Sequence, residues 1–151
     1  MKPLASNIPF LSFDFHKGIN AALLESSKNV IDSAWFVNGK EVSSFEEEWA
    51  AYLGCGHSVG TSNGLDALIL SLKALGVGSG DEVIVPSNTY VATALAVTHV
   101  GATPIFVEPR LETYNINPDR IEAAITPKTK AIMPVHLYGQ AAEMTAVMQI
   151  A

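Results

Sequence analysis

The stretch EVIVPSNTYVATALAVTHV, Glu82 to Val100, holds in one line the pattern that decides the fold. Val83, Ile84 and Val85 are apolar on consecutive positions, which predicts a short strand over Glu82–Val85 buried on both faces. Pro86 closes it, because a proline has no amide hydrogen to give to a central ladder. A helical stretch from Thr89 to Val100 follows. The same alternation extends in both directions. Short apolar runs at His57–Gly60, Pro104–Val107 and Lys130–Val135 predict further strands, and Gly64–Leu75 and Pro118–Ile125 predict the helices between them. Asn117-Pro118 supplies an N-cap and a favourable first helical residue, and Thr126-Pro127 ends that helix. Strands alternating with helices predict an α/β domain whose sheet is mainly parallel and flanked by helices.

Ahead of this region, Ile19, Ala22, Leu23, Val30 and Ile31 fall near helical spacing and predict a surface helix over Lys17–Asp32. After a loop marked by Asn38-Gly39, a second helix is expected from Ser43, where Ser43 and Glu46 have the spacing of a capping box; Phe45, Trp49 and Leu53 then recur every four residues until Gly54 and Gly56. The last helix, Ala142–Ala151, carries no cap, so the sheet is expected to be incomplete at the carboxyl end. No linker or repeat divides residues 1–151, which read as the amino-terminal part of one larger domain.

Composition narrows the function classes. With 48% hydrophobic and 16% charged residues the chain is globular in character, and a domain of this size buries roughly 70% of its unfolded surface. Fifteen acidic against nine basic residues, with no basic block, argue against a nucleic-acid partner. Cys55 is the single cysteine, and His16, His57, His99 and His136 lack zinc-ligand spacing, so no metal is expected and a reducing cytoplasm suits the chain. No apolar run approaches the ~20 residues of a membrane span, and the opening residues, broken by Pro3, Asn7, Pro9 and Asp14, do not read as a signal peptide.

Three segments are candidates for chemistry. Gly60 to Leu68 runs from a strand end through Thr61, Ser62, Asn63 and Gly64 into a helix start, where unpaired amides and small polar side chains suit a phosphate dianion; an ordinary N-cap turn would use the same residues. Pro86 to Tyr90 occupies the equivalent place after the next strand, where Tyr90 could face a flat ring or simply pack at a helix start. Pro134 to Gln140 brings His136 and Tyr138 to the same rim, where His136 is a candidate contact to a cofactor or substrate or a satisfied structural histidine. Gly76 to Asp81 looks like a nucleotide-binding glycine loop but follows a helix and precedes a strand, the reverse of the required order, and is expected to be a turn.

Taken in order, SNGLDALILSL (Ser62–Leu72), GDEVIVPSNTYVATALAV (Gly80–Val97), TYNINP (Thr113–Pro118) and TKAIMPVHLYGQ (Thr129–Gln140) resemble the DegT/DnrJ/EryC1/StrS family of sugar aminotransferases, as do the opening IPFL (Ile8–Leu11) and WFVNGKEVSSFEEEWA (Trp35–Ala50). The resemblance implies part of the large domain of a fold-type-I transferase that uses pyridoxal 5'-phosphate, and a homodimer when full length. It implies that Ser62, Asn63 and Gly64 meet the cofactor phosphate, that Tyr90 stacks on its ring, and that His136 and Tyr138 lie toward the substrate or just behind it. The family's Schiff-base lysine is expected after Ala151, since Lys2, Lys17, Lys28, Lys40, Lys73, Lys128 and Lys130 do not match its motif. The implied reaction moves an amino group from glutamate to a nucleotide-linked keto-sugar, and the variants SNGLDAL and VEPRLETYNINP resemble members acting on a dTDP-linked 3-keto-6-deoxyhexose. The 151 residues alone are then expected to be inactive. Two other readings stay open: a dehydratase of the same family, and a noncatalytic binding or interaction protein.

Overall fold

The computed structural model describes residues 18–151, and the Ile8–Leu11 stretch and Lys17 lie outside the described residues. The chain divides at Gly60/Thr61 into two compact units.

In the first unit, α1 spans Asn20–Ser33 and α2 spans Lys40–Leu53. Helix α1 ends where Ala34 turns left-handed at φ 53°, and α2 where Gly54 does so at φ 68°, a conformation that costs glycine nothing. The capping box is not formed. Helix α2 already begins at Lys40, so Ser43 is internal and its hydroxyl donates to the Lys40 carbonyl, while the Glu46 carboxylate accepts the Gly60 amide at 2.6 Å. That bond also explains why His57–Gly60 is not a strand: its last amide is satisfied by a side chain, and Val59 is 77% exposed with no sheet face to cover.

The second unit is the predicted α/β layer structure. Its elements are α3 (Gly64–Ala74), β1 (Glu82–Pro86), α4 (Ala92–His99), β2 (Thr103–Val107), β3 (Thr129–Ile132) and α5 (Met144–Ile150). The three strands form one parallel sheet in the order β2-β1-β3, with Ile84 level with Ile105 on one side and Ile132 on the other. As the period of a strand requires, β1 sends Val83 and Val85 to one face and Ile84 to the other. Val83 and Val85 pack with Leu72 of α3 and Ala96 and Val97 of α4; Ile84 packs with Ile116, Ile121 and Val147. Both faces of β1 are therefore dry, as its unbroken apolar run predicts. Strands β2 and β3 are only partly covered, and Phe106 of β2 is exposed.

The helix boundaries have local causes. Leu65, Leu68, Ile69 and Leu72 line one face of α3. The helix stops at a left-handed Gly76, whose neighbour Val77 donates its amide to the Leu72 carbonyl and packs with Leu72, so Gly76–Asp81 is the expected turn. Pro118–Ile125 is not one helix but two short 3₁₀ turns, Pro118–Arg120 and Glu122–Ala124. Proline at 127 biases Thr126 away from helical backbone, so the segment has too few residues to repay α-helix nucleation. Strand β3 is shorter than the Lys130–Val135 run, because the Met133 amide still reaches the Ile84 carbonyl at 2.9 Å and Pro134 then has none to give.

Candidate functional site

The amino end of α3, the approach to α4 and the segment after β3 lie beyond the carboxyl ends of β1 and β3, the edge where open parallel sheets bind ligands. They enclose an open pocket of about 770 Å³, within the range of small-molecule sites. Asn63 and Gly64 line it from α3, Tyr90 and Thr93 from α4, and Met133 to His136 from the β3 segment. Three of the sequence-predicted residues outside one another's neighbourhood in the chain, Asn63, Tyr90 and His136, thus share one cavity. Its lining is mostly apolar, with Leu65, Leu68, Val91 and Leu95 between the polar groups.

At the α3 end the side chains are already engaged. Asn63 is the N-cap: its Oδ1 accepts the Asp66 amide at 2.9 Å, and its Nδ2 donates to the Asp66 carboxylate at 3.0 Å and to the Ser62 Oγ at 3.2 Å. The Ser62 hydroxyl donates to the same carboxylate, and the Thr61 hydroxyl donates to the Asn63 carbonyl at 3.1 Å. These side-chain donors are spent on holding the turn. Helix geometry leaves the Gly64 and Leu65 amides without an intrahelical acceptor, and a Cβ built on Gly64 would meet no atom within 4 Å. An anion approaching there meets backbone amides and the positive end of a helix dipole.

Tyr90 precedes α4, held by the Thr93 amide donating to its carbonyl at 3.0 Å; the residue is 80% exposed and lines the pocket. A packing role at the helix start does not describe a ring so uncovered. His136 uses Nδ1 to accept the Ala142 amide at 3.0 Å, so a neutral ring carries its proton on Nε2. Tyr138 is outside the pocket lining. It takes left-handed backbone, φ 55°, and meets Tyr114, itself at φ 58°, edge to face with ring centres 5.7 Å apart.

Sequence reasoning missed Asn115. Its side chain, 3% exposed with the backbone, accepts the Leu137 amide at 2.9 Å and donates to the Gln140 carbonyl at 3.0 Å. The only signal was an asparagine beside Ile116 in a non-helical run. Nearby, Arg110 joins Asp119 at 2.9 Å and Glu143 at 3.0 Å, tying the segment after β2 to the start of α5.

Comparison with known proteins identifies the family and the fold. The model of the DegT/DnrJ/EryC1/StrS aminotransferase family matches residues 18–151. The chain is 48% identical over 145 residues to a dTDP-3-amino-3,6-dideoxy-alpha-D-galactopyranose transaminase of Aneurinibacillus thermoaerophilus, covering 95% of this chain and 40% of that protein. Among solved structures it superposes on DesV of S. venezuelae, in complex with a ketimine intermediate, with a TM-score of 0.90, 46% identity and coverage of 95% and 39% of the two chains. NtdA of Bacillus subtilis, with bound cofactor PMP, gives 0.89, 39% identity and coverage of 99% and 35%. The chain spans about 40% of the length of the curated relatives it matches.

Proposed function

Because the chain belongs to the DegT/DnrJ/EryC1/StrS aminotransferase family, we propose that it forms the phosphate and ring cradle of a pyridoxal-phosphate-dependent transaminase acting on a nucleotide-linked keto-sugar, with glutamate as amino donor and a homodimer as the complete enzyme. The observation that carries this reading is the convergence of Gly64, Tyr90 and His136 on one apolar pocket at the carboxyl edge of the sheet. The donor set fits the cofactor: two open amides for a dianion, an uncovered aromatic face for a flat ring and an imidazole N–H for a ring substituent. The relative at 48% identity, named as a dTDP-3-amino-3,6-dideoxy-alpha-D-galactopyranose transaminase, supports a dTDP-linked 3-keto-6-deoxyhexose as the sugar.

In this reading the Gly64 and Leu65 amides bind the phosphate, and Asn63 and Ser62 act by holding the turn that aims them. Tyr90 orients the ring, and Leu68, Val91 and Leu95 keep water from its edge. His136 offers its Nε2 proton to an acceptor on the cofactor or substrate, with Tyr138 behind it. Bound pyridoxal phosphate would supply the electron sink that the transfer of an amino group requires. No lysine of the described residues lines the pocket, and the family resemblance places the tethering amine after Ala151, so the 151 residues alone are expected to bind without turnover.

Absorbance titration with pyridoxal phosphate, followed by incubation with glutamate and the keto-sugar nucleotide and mass spectrometry of the sugar, tests both halves. Binding without product is expected from this chain and product from the full-length protein. Tyr90→Ala is expected to weaken binding by ~1 kcal/mol, about fivefold. Turnover by the short chain that disappears when one of its own lysines is replaced would overturn the assignment.

A further inference from the structure

The segment after β3 carries His136 into the pocket, yet it is not held by the sheet: β3 ends at Ile132, and Leu137–Gly139 is a single 3₁₀ turn with Tyr138 in left-handed backbone. Such a turn needs an external hold, because a left-handed tyrosine is a costly conformation that persists only where surrounding contacts fix it. The hold lies across the chain at Asn115. Its carboxamide closes on both ends of the turn, taking the Leu137 amide on Oδ1 and giving Nδ2 to the Gln140 carbonyl. The residue before it is fixed in turn, since Asn88 of the β1 rim donates from Nδ2 to the Tyr114 carbonyl at 2.9 Å. Beyond the turn, the Ala142 amide is what His136 Nδ1 accepts.

We propose that Asn115 is a positioning residue for the site: its carboxamide clasps the Leu137–Gln140 turn and so keeps Ala142 where its amide fixes His136 as an Nε2–H donor to whatever occupies the pocket. The residue lies outside the pocket lining. Its carboxamide is suited to the task because it offers one acceptor and one donor on the same rigid plane, and the turn presents one donor and one acceptor to match. An aspartate keeps the acceptor but sets a carboxylate oxygen against the Gln140 carbonyl, and an alanine leaves the Leu137 amide and the Gln140 carbonyl, both bonded in part-buried surroundings, without their partner. The last step, toward a cofactor or substrate, rests on the functional reading above; the clasp itself does not.

The test uses uniformly ¹⁵N-labelled protein, with the His136 ring signals identified by their loss in His136→Gln. In the wild type, measured with the ring neutral, His136 is expected to show a protonated Nε2 and an unprotonated Nδ1, and the Leu137 amide is expected to be protected from hydrogen exchange. Asn115→Asp is expected to shift the ring toward a mixture of tautomers, and Asn115→Ala to do so as well, with Leu137 exchange on the order of tenfold faster. Unchanged tautomer and unchanged exchange in a folded Asn115→Ala would overturn the proposal. Should that variant not fold, the wild type decides alone: a Leu137 amide exchanging at the unprotected rate, or a proton on Nδ1, would also overturn it. A wild type that binds no pyridoxal phosphate yet shows the Nε2–H tautomer and the protected amide breaks the functional reading and supports the clasp.

Discussion

The two compact units answer the same kind of sequence pattern differently. Helices α1 and α2 carry apolar residues at helical spacing, yet α1 buries none of its residues and α2 buries Ala50 alone. Helix α3 carries a comparable pattern and α4 is apolar nearly all round, and Leu72, Ala96 and Val97 are buried against Val83 and Val85 of β1. In the first unit Phe45, Trp49 and Tyr52 stack on one another along α2, ring centres 5.8 and 5.5 Å apart, and remain exposed. Helical periodicity specifies which side chains share a face. It does not specify that the face is covered, and in this chain a fully buried strand is what separates the two cases.

That contrast can be broken by substitution. Ile84 is fully buried between β2 and β3, so Ile84→Ala is expected to have the largest effect, lowering stability by ~2–5 kcal/mol in a urea titration. Asn63→Ala sits between the extremes: loss of the α3 cap is expected to cost ~1 kcal/mol of stability and, because the turn then loses its hold on the Gly64 amide, to weaken pyridoxal phosphate retention measured on the same protein. Ile31→Ala on α1 removes an exposed side chain and is expected to change stability by no more than ~0.5 kcal/mol. An Ile31→Ala loss equal to that of Ile84→Ala would erase the distinction between the units.

The parts of the molecule that were legible in the sequence are those whose causes are local. Val83–Val85 announces a two-faced strand, Asn63 announces a cap, and Gly54 and Gly76 announce helix ends, and each does so within a few residues. The rim segments around Tyr90 and His136 could be placed because each follows a strand end, and the one around Asn63 because it caps a helix. What was misread depends on distant partners. The strand expected at His57–Gly60 fails because Glu46 reaches across to Gly60, and the capping box fails because α2 already begins at Lys40 and makes Ser43 internal. Asn115 was invisible as a site residue because its partners lie 22 and 25 positions along the chain. At the α3 turn Ser62 and Asn63 have the right chemistry for an anion, and the Asp66 carboxylate accepts from both of them.

That arrangement at the α3 turn couples folding to supply of ligand. With its side chains turned inward, the helix start has two backbone amides left to be completed from outside, and whatever anion completes them binds only the folded form. By mass action, a ligand present at a hundred times its dissociation constant then adds ~2.7 kcal/mol to the folded state. A chain short of its anion should melt earlier and be cut sooner by proteases than the same chain kept saturated, so the abundance of the protein in a cell would follow the level of that anion without any change in its synthesis.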